Sequence, residues 1–163
     1  MNREYGKNSG FTLVELIVII AILAIMVGGV TMGISIMRKK NVDKAAKNIN
    51  YKMTQIRTWN MSKDVLRDLT ISKADGKFSL NDGENNDDLL DDSTNIEYVR
   101  RGESPVSVND SLAIRFQRNG TIKFVVDSNE ANILNDVQAI KLTNGTKTVK
   151  ITMVADTGKH FID

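Results

Sequence analysis

The sequence predicts an α+β protein in which one long N-terminal helix packs on a C-terminal antiparallel β-sheet. Two observations lead to this prediction. A run without charged side chains, Leu16 to Met37, continues into a segment whose apolar residues recur every three or four positions, which is the spacing of a helix. From Leu112 onward, apolar and polar residues instead alternate, which is the period of a strand buried on one face.

The composition argues against several classes of function. The chain has 163 residues, no cysteine and a formal net charge of +2. It therefore has no disulfide framework, thiol nucleophile or cysteine-ligated zinc, and no global basic field for nucleic acid. No phosphate-binding loop, metalloprotease motif or carboxylate pair is present, and the single histidine, His160, is expected to be solvent-exposed. We therefore expect no enzyme, no catalytic residues, no cofactor and no metal ion.

The charge-free run is long enough to cross a membrane. At about 1.5 Å per residue it makes a helix of about 33 Å, against a hydrocarbon core of about 30 Å. This length exceeds the apolar stretch of a cleaved signal peptide. The unexpected residue is Glu15, because an acid directly before such a run is costly to insert into lipid.

Residues Gly10 to Leu16 read GFTLVEL, and they resemble the prepilin motif shared by type IV pilins and the pseudopilins of type II secretion and competence. The resemblance implies that residues 1–10 are a leader peptide, cut between Gly10 and Phe11 by a prepilin peptidase that also N-methylates Phe11. It also implies a cytoplasmic N-terminus, an extracytoplasmic head, and assembly into a filament with other subunits by an inner platform protein and an ATPase. A plain signal anchor explains the apolar run but not the placement of Gly10 and Glu15.

Glu15 is the acid that the resemblance assigns to assembly register. Cleavage would create an α-amine on Phe11, four residues before Glu15 and on the same helix face. In a filament, the amine of one subunit could meet Glu15 of a neighbour where water is scarce and the attraction is strong. The alternative is that Glu15 neutralises only the amine of its own chain, and the sequence leaves both open.

The helix is expected in two parts. Residues 11–37 form a transmembrane and assembly segment, and residues 38–64 continue it as an amphipathic helix that buries Val42, Ala45 or Ala46, Ile49, Met53 and Ile56. Gly28, Gly29 and Gly33 interrupt the apolar part, and Gly29 and Gly33 have the spacing that permits close helix packing in lipid. They could supply packing or flexibility, or simply be tolerated in a membrane helix.

Residues 65–163 are expected to form a β-rich head. Its acidic segment, 81–93, is predicted to be a solvated loop without a metal, since Gly83 does not occupy the turn position of a calcium-binding EF-hand loop. Asn119-Gly120 predicts a type I′ hairpin and Asn144-Gly145 a second hairpin. The strand and turn pattern of the last third resembles the minor pseudopilins and minor pilins called GspH/FimT-like.

These features predict a structural subunit, of the minor kind, of a type IV pilus or of a secretion or competence pseudopilus. The alternative is a membrane-anchored binding module that recognises DNA, a surface or a secreted substrate and does not polymerise. A basic stretch after Met37 is expected to meet membrane lipid, and Trp59 to pack between helix and head, so nucleic acid is possible but not indicated. Which machine the subunit serves is left open.

Overall fold

The computed structural model describes residues 11–90, 94–145 and 147–163, with no account of the side chains at 29–35, 38, 88 and 90. The predicted α+β fold is confirmed: a helix, α1 (Leu13–Ser62), is followed by antiparallel strands. Gly10 and the rest of the predicted leader lie outside the described residues. The chain divides into two compact units, Met1–Met37 and Arg38–Asp163.

The first unit contains the apolar part of α1. Every residue from Phe11 to Gly28 is exposed, including the large apolar side chains. Among the residues that the structure describes, no helix is both long and apolar enough to span a bilayer. The transmembrane segment expected at 11–37 therefore stays a prediction.

The second unit is built on the amphipathic part of α1. The apolar side chains that the periodicity predicted are all buried, and both alanines belong to the buried face: Val42, Ala45, Ala46, Ile49, Met53 and Ile56. Asn60 continues this face near the helix end. Its side-chain amide bonds the backbone N–H and C=O of Arg67 and the C=O of Phe116, so the chain leaving the helix is fixed against the head.

Two sheets cover the helix, where the sequence predicted one. The strands are β1 (Asp68–Ala74), β2 (Lys77–Asn81), β3 (Asn86–Leu90), β4 (Asn95–Arg100), β5 (Val106–Ser107), β6 (Ser111–Phe116), β7 (Ile122–Val126), β8 (Ile133–Leu134), β9 (Val137–Thr143), β10 (Thr148–Val154) and β11 (Lys159–Ile162). Sheet A has the order β3-β2-β1-β6-β7-β8, and sheet B the order β11-β10-β9-β4-β5. All neighbours are antiparallel.

One hydrophobic core joins the helix face to the inner faces of both sheets. Ile49 and Met53 of α1 share it with Ile71 and Ile114 of sheet A and Ile151 of sheet B, and all five side chains are fully buried. Alternation along each strand identifies the buried face but not the neighbouring strand, because a period of two is the same in one sheet or two. The alternation from Leu112 onward therefore predicted strands in that part of the head, but not the division of the strands into two sheets.

Part of the acidic segment differs from the predicted loop. Asn86–Leu90 form β3, which pairs with β2 at the edge of sheet A. Two causes are visible: β2 offers its free backbone edge, and Leu89 packs against the core. Residues 91–93 lie outside the described residues.

The hairpin at Asn119-Gly120 forms between β6 and β7 but is not of type I′. The Gly120 N–H donates to the Gln117 C=O at 2.9 Å, and the Gln117 N–H to the Thr121 C=O at 2.8 Å, which makes a three-residue loop. Within this loop only Gly120 has a positive φ, 86°, whereas a type I′ turn requires a positive φ at Asn119 as well. The Asn119 side chain instead accepts the Thr121 N–H at 3.1 Å.

Candidate functional site at the start of the helix

A capping box closes the N-terminal end of α1. The Glu15 N–H donates to the Thr12 hydroxyl oxygen at 3.2 Å, and the Thr12 N–H donates to Glu15 Oε2 at 3.2 Å. The Thr12 hydroxyl also donates to the same carboxylate oxygen at 3.3 Å. The first helical hydrogen bond follows, from the Leu16 N–H to the Thr12 C=O at 3.2 Å. Thr12 is therefore the N-cap, and Glu15 the acid that returns the bond.

This cap places the start of the helix next to the predicted cleavage point. Phe11 precedes the cap, lies outside the helix and has a side chain that is 80% exposed. Gly10, the other side of the predicted scissile bond, lies outside the described residues. A non-helical, exposed Phe11 leaves the backbone on its side of the bond open to a peptidase, because no helical hydrogen bond has to be broken first.

Glu15 has two tasks available at this position. One carboxylate oxygen, Oε2, is used by the cap, while Oε1 has no hydrogen-bond partner among the described residues. In the uncut chain the nitrogen of Phe11 is an amide, so the expected charge pair with Glu15 requires cleavage. A carboxylate has about four acceptor positions, so the cap and an amine can be bound together.

Sequence reasoning did not identify Thr12. The signal was present, since a threonine followed three residues later by a glutamate before an apolar run is typical of a helix start. In the interpretation from sequence, Glu15 is connected only with the amine of Phe11. The structure adds a neutral hydrogen-bond partner in the same chain for one of the two carboxylate oxygens.

The predicted glycine positions lie inside α1. A Cβ added to Gly28 would have no atom within 4 Å, so space in this single chain does not require glycine there. For Gly29 and Gly33 only their place in the helix is described. Their role in packing or flexibility between chains stays a prediction.

The expectations for the head concern a metal ion, His160 and Trp59. Among the described residues, no group of three or more candidate ligand side chains could hold a metal ion. His160 was expected to be solvent-exposed and is half-buried instead: its Nε2 lies 3.0 Å from the Thr54 hydroxyl and its ring 5.9 Å from that of Phe116. These contacts join β11 to the helix. Trp59 packs as predicted, with its indole N–H donating to the Val65 C=O at 3.2 Å.

An ion pair attaches the acidic segment to the helix. Lys52 donates to Asp82, which also accepts the N–H groups of Glu84 at 3.0 Å and Asn85 at 2.7 Å. Burial alone would raise the pKa of Asp82, but the Lys52 bond and the two amides outweigh it and hold that pKa well below its ordinary value. The hydrogen bond to Asp82 raises the pKa of Lys52.

Comparison with known proteins bears on the capped end of the helix. Residues 5–31 match the prokaryotic N-terminal methylation motif, which includes the predicted cleavage point and the capping box. No curated protein and no solved structure matches the chain. The match does not extend to the head, so the resemblance to GspH/FimT-like proteins is not confirmed. The chain carries, at the N-terminal end of its helix, the signature of type IV pilins and pseudopilins.

Proposed function

We propose that the chain is a structural subunit of a type IV pilus or of a secretion or competence pseudopilus. The observation that carries this proposal is the N-terminal methylation motif over residues 5–31. Under the proposal, a prepilin peptidase cuts after Gly10 and methylates the new amine of Phe11. The head then has no reaction to perform, and its task is to present a surface on the filament.

The exposed part of α1 supports membrane anchoring before assembly. A helix that is apolar all round needs an apolar environment on every side, and from Leu16 to Gly28 every residue is both uncharged and exposed. Lipid would cover this surface first, and helices of other subunits afterwards. We propose a cytoplasmic leader, an extracytoplasmic head, and extraction by a platform protein and an assembly ATPase.

The capping box supports a role for Glu15 in both states. Within one chain, Thr12 gives the carboxylate two hydrogen bonds, which lower the cost of holding an acid at the membrane surface. In the filament, the free oxygen can bind the Phe11 amine of a neighbour and so select one axial register. Glu15 is then a positioning residue for assembly.

The first test is mass spectrometry of the N-terminus of the protein isolated from cells. We expect a chain that begins at N-methylated Phe11. A control variant, Gly10→Val, should retain Met1 and the leader because the enlarged residue blocks cleavage. A wild-type chain that begins uncut and unmethylated would overturn the proposal.

The second test separates the charge of Glu15 from its cap. Glutamine also completes a capping box, so Glu15→Gln keeps the helix start while it removes the charge. We expect membrane insertion and leader cleavage as in the wild type, and loss of the subunit from sheared filaments. If Glu15→Gln assembles normally, the acid serves the cap alone.

The finer assignment, a minor subunit, rests on the resemblance of the head pattern. Quantitative analysis of isolated filaments tests it: a few copies per filament indicate a minor subunit, and a high proportion indicates the major one. Complete absence from filaments, with the protein still anchored in the membrane, would favour the binding module instead.

A further inference from the structure

The face of α1 turned away from the sheets carries a stripe of lysines. Lys40, Lys44 and Lys47 are spaced by four and three residues, so they lie on one side of the helix. All three side chains are exposed. At 100° per residue they point opposite to the buried positions Ala46 and Ile49. We call these three residues the lysine stripe.

No acid that the structure describes pairs with the lysine stripe. In the described part of the chain, none of its ammonium groups takes part in an ion pair or hydrogen bond. Asp43, the nearest acid in sequence, is bonded to Lys147 at 2.5 Å. Like charges at these spacings destabilise a helix by about 0.2 to 0.5 kcal/mol per pair. An anion from outside the chain would remove this cost.

Lipid headgroups fit only the beginning of the lysine stripe. Lys44 and Lys47 lie about 6 and about 10 Å beyond Lys40 along the helix axis. The headgroup layer on each side of a bilayer is only about 5 to 7 Å thick. For a helix that stands along the membrane normal with Lys40 at the membrane surface, Lys47 would lie beyond the headgroups, and a protein surface is the better match.

The head supplies a complementary surface, which we call the acidic rim: Asp82, Glu84 and Asp87. Glu84 and Asp87 expose 60% and 44% of their side chains. Lys52 and Arg67 pair with acids of the rim, but these two cations do not balance its three carboxylates, so the rim keeps a net negative charge. The rim is attached to α1 at Lys52, which lies eight residues beyond Lys44. At 1.5 Å per residue, this is about 12 Å further along the helix axis.

We propose that the lysine stripe of one copy binds the acidic rim of a second copy. The stripe and the rim are different surfaces of the same chain, so the contact is head-to-tail and can repeat without closing into a two-fold dimer. The second copy would be displaced by about 12 Å along the helix direction. This inference rests on the proposed filament function, with neighbouring copies of this chain in one filament rather than single minor copies, and assigns a lateral contact to it.

Cysteine cross-linking of full-length chains tests the contact, and the chain contains no cysteine of its own to interfere. Tyr51→Cys places a thiol on the helix face just beyond Lys47, and Asn86→Cys places one on β3 beside the acidic rim; both positions are exposed. Oxidation of a mixture of the two variants should give a disulfide-linked dimer that neither gives alone. Mixing Tyr51→Cys with Asn129→Cys, also exposed but outside the rim, is the control. Equal yields in both mixtures would overturn the proposal.

Charge reversal identifies the interaction that holds the contact. Lys44→Glu with Lys47→Glu, placed in the Tyr51→Cys chain, should lower the dimer yield about tenfold or more, because like charges at an interface cost several kcal/mol. Glu84→Lys with Asp87→Lys in the Asn86→Cys chain should restore it. Reversal of two exposed lysines elsewhere, Lys77 and Lys159, makes the same change in net charge and should have no effect.

Two further outcomes separate the alternatives. If the Lys44→Glu, Lys47→Glu chain loses binding to phosphatidylserine vesicles while its dimer yield stays at the wild-type level, the stripe binds headgroups and the proposal is wrong. The disulfide is measured in detergent, independently of filaments. If the chain forms filaments but the specific disulfide does not form, this contact is wrong and the proposed function stands. If the disulfide forms but the chain is absent from filaments, the contact is supported and the proposed function is refuted.

Discussion

Removal of the Lys52 ammonium should destabilise the head more than removal of any solvated lysine. Lys52 and Asp82 expose only 14% and 11% of their side chains. Lys52→Met leaves the Asp82 carboxylate in place with its two amide hydrogen bonds but without its cation. Breaking a fully buried pair costs about 3 to 5 kcal/mol. Because the two amides remain, we expect a loss of about 2 to 3 kcal/mol in the free energy of unfolding.

The assay is urea unfolding of the full-length chain in detergent, followed by the fluorescence of Trp59, the single tryptophan. Its ring lies 3.6 Å from the Arg67 guanidinium carbon, at the junction of helix and head, so its emission reports on their separation. Lys77→Met, at an exposed lysine without an ion pair in the described part of the chain, is the control and should change stability by less than about 0.5 kcal/mol.

The double variant Lys52→Met, Asp82→Asn identifies the cause. Asparagine keeps an oxygen for the two amides but has no charge to leave unpaired, so we expect it to recover more than half of the loss. If Lys52→Met were as stable as Lys77→Met, or if the two substitutions simply added, the pair would not hold the acidic segment.

The same pair predicts a dependence on pH. The folded-state pKa of Asp82 lies below its unfolded value, so its contribution to stability is complete above about pH 4 and is lost as the pH falls toward the folded pKa. Lys52→Met should flatten this acid limb of the stability profile, because without Lys52 the pKa of Asp82 returns upward. An unchanged acid limb would contradict the assignment.

Substitutions at three other positions test the cap, a close backbone contact and the junction of helix and head. Thr12→Val should accelerate amide hydrogen exchange in the first turn of α1, because the helix loses about 1 kcal/mol of capping free energy. Thr12→Ser keeps the hydroxyl and should not change the exchange rate. Equal exchange rates in the two variants would refute the cap. Gly158→Ala should lower the free energy of unfolding in urea by about 3 kcal/mol, because Gly158 has a φ of 65° and an added Cβ would lie 2.2 Å from the Gly120 C=O oxygen. A variant as stable as the wild type would exclude that close approach. Asn60→Ala should lower the free energy of unfolding in the same assay by about 2 to 3 kcal/mol, because the backbone groups of Arg67 and Phe116 that the Asn60 amide binds would lose their partners. An unchanged stability would mean that water replaces the amide.

Local patterns predicted much of the head correctly. The period of the amphipathic helix identified its buried face, and the alternation along β6 and β10 identified Leu112, Ile114, Val149 and Ile151 as core residues. Both signals depend only on near neighbours along the chain, since side-chain direction repeats every 3.6 residues in a helix and every two in a strand. The turn at Asn119-Gly120 was placed correctly but given the wrong type.

Such local patterns could not predict contacts between segments that are distant in sequence. The acidic composition of 81–93 indicated a loop, yet backbone pairing with β2 makes Asn86–Leu90 a strand, because a sheet edge binds main-chain groups whatever the side chains are. His160 was expected in solvent, and contacts with Thr54 and Phe116 hold it against the head. Neither partner is close to it in sequence.

By itself, the sequence determined the signature at the start of the chain, the helix that follows it, and the alternating strands of the head. These depend on the order of neighbouring residues, which the chain carries whether or not it is folded. Tertiary structure alone decided the division into two sheets, the pairing of Lys52 with Asp82, and the contact of His160 with Thr54. Each of these requires groups far apart in sequence to meet, and their meeting depends on packing that covers the whole core at once.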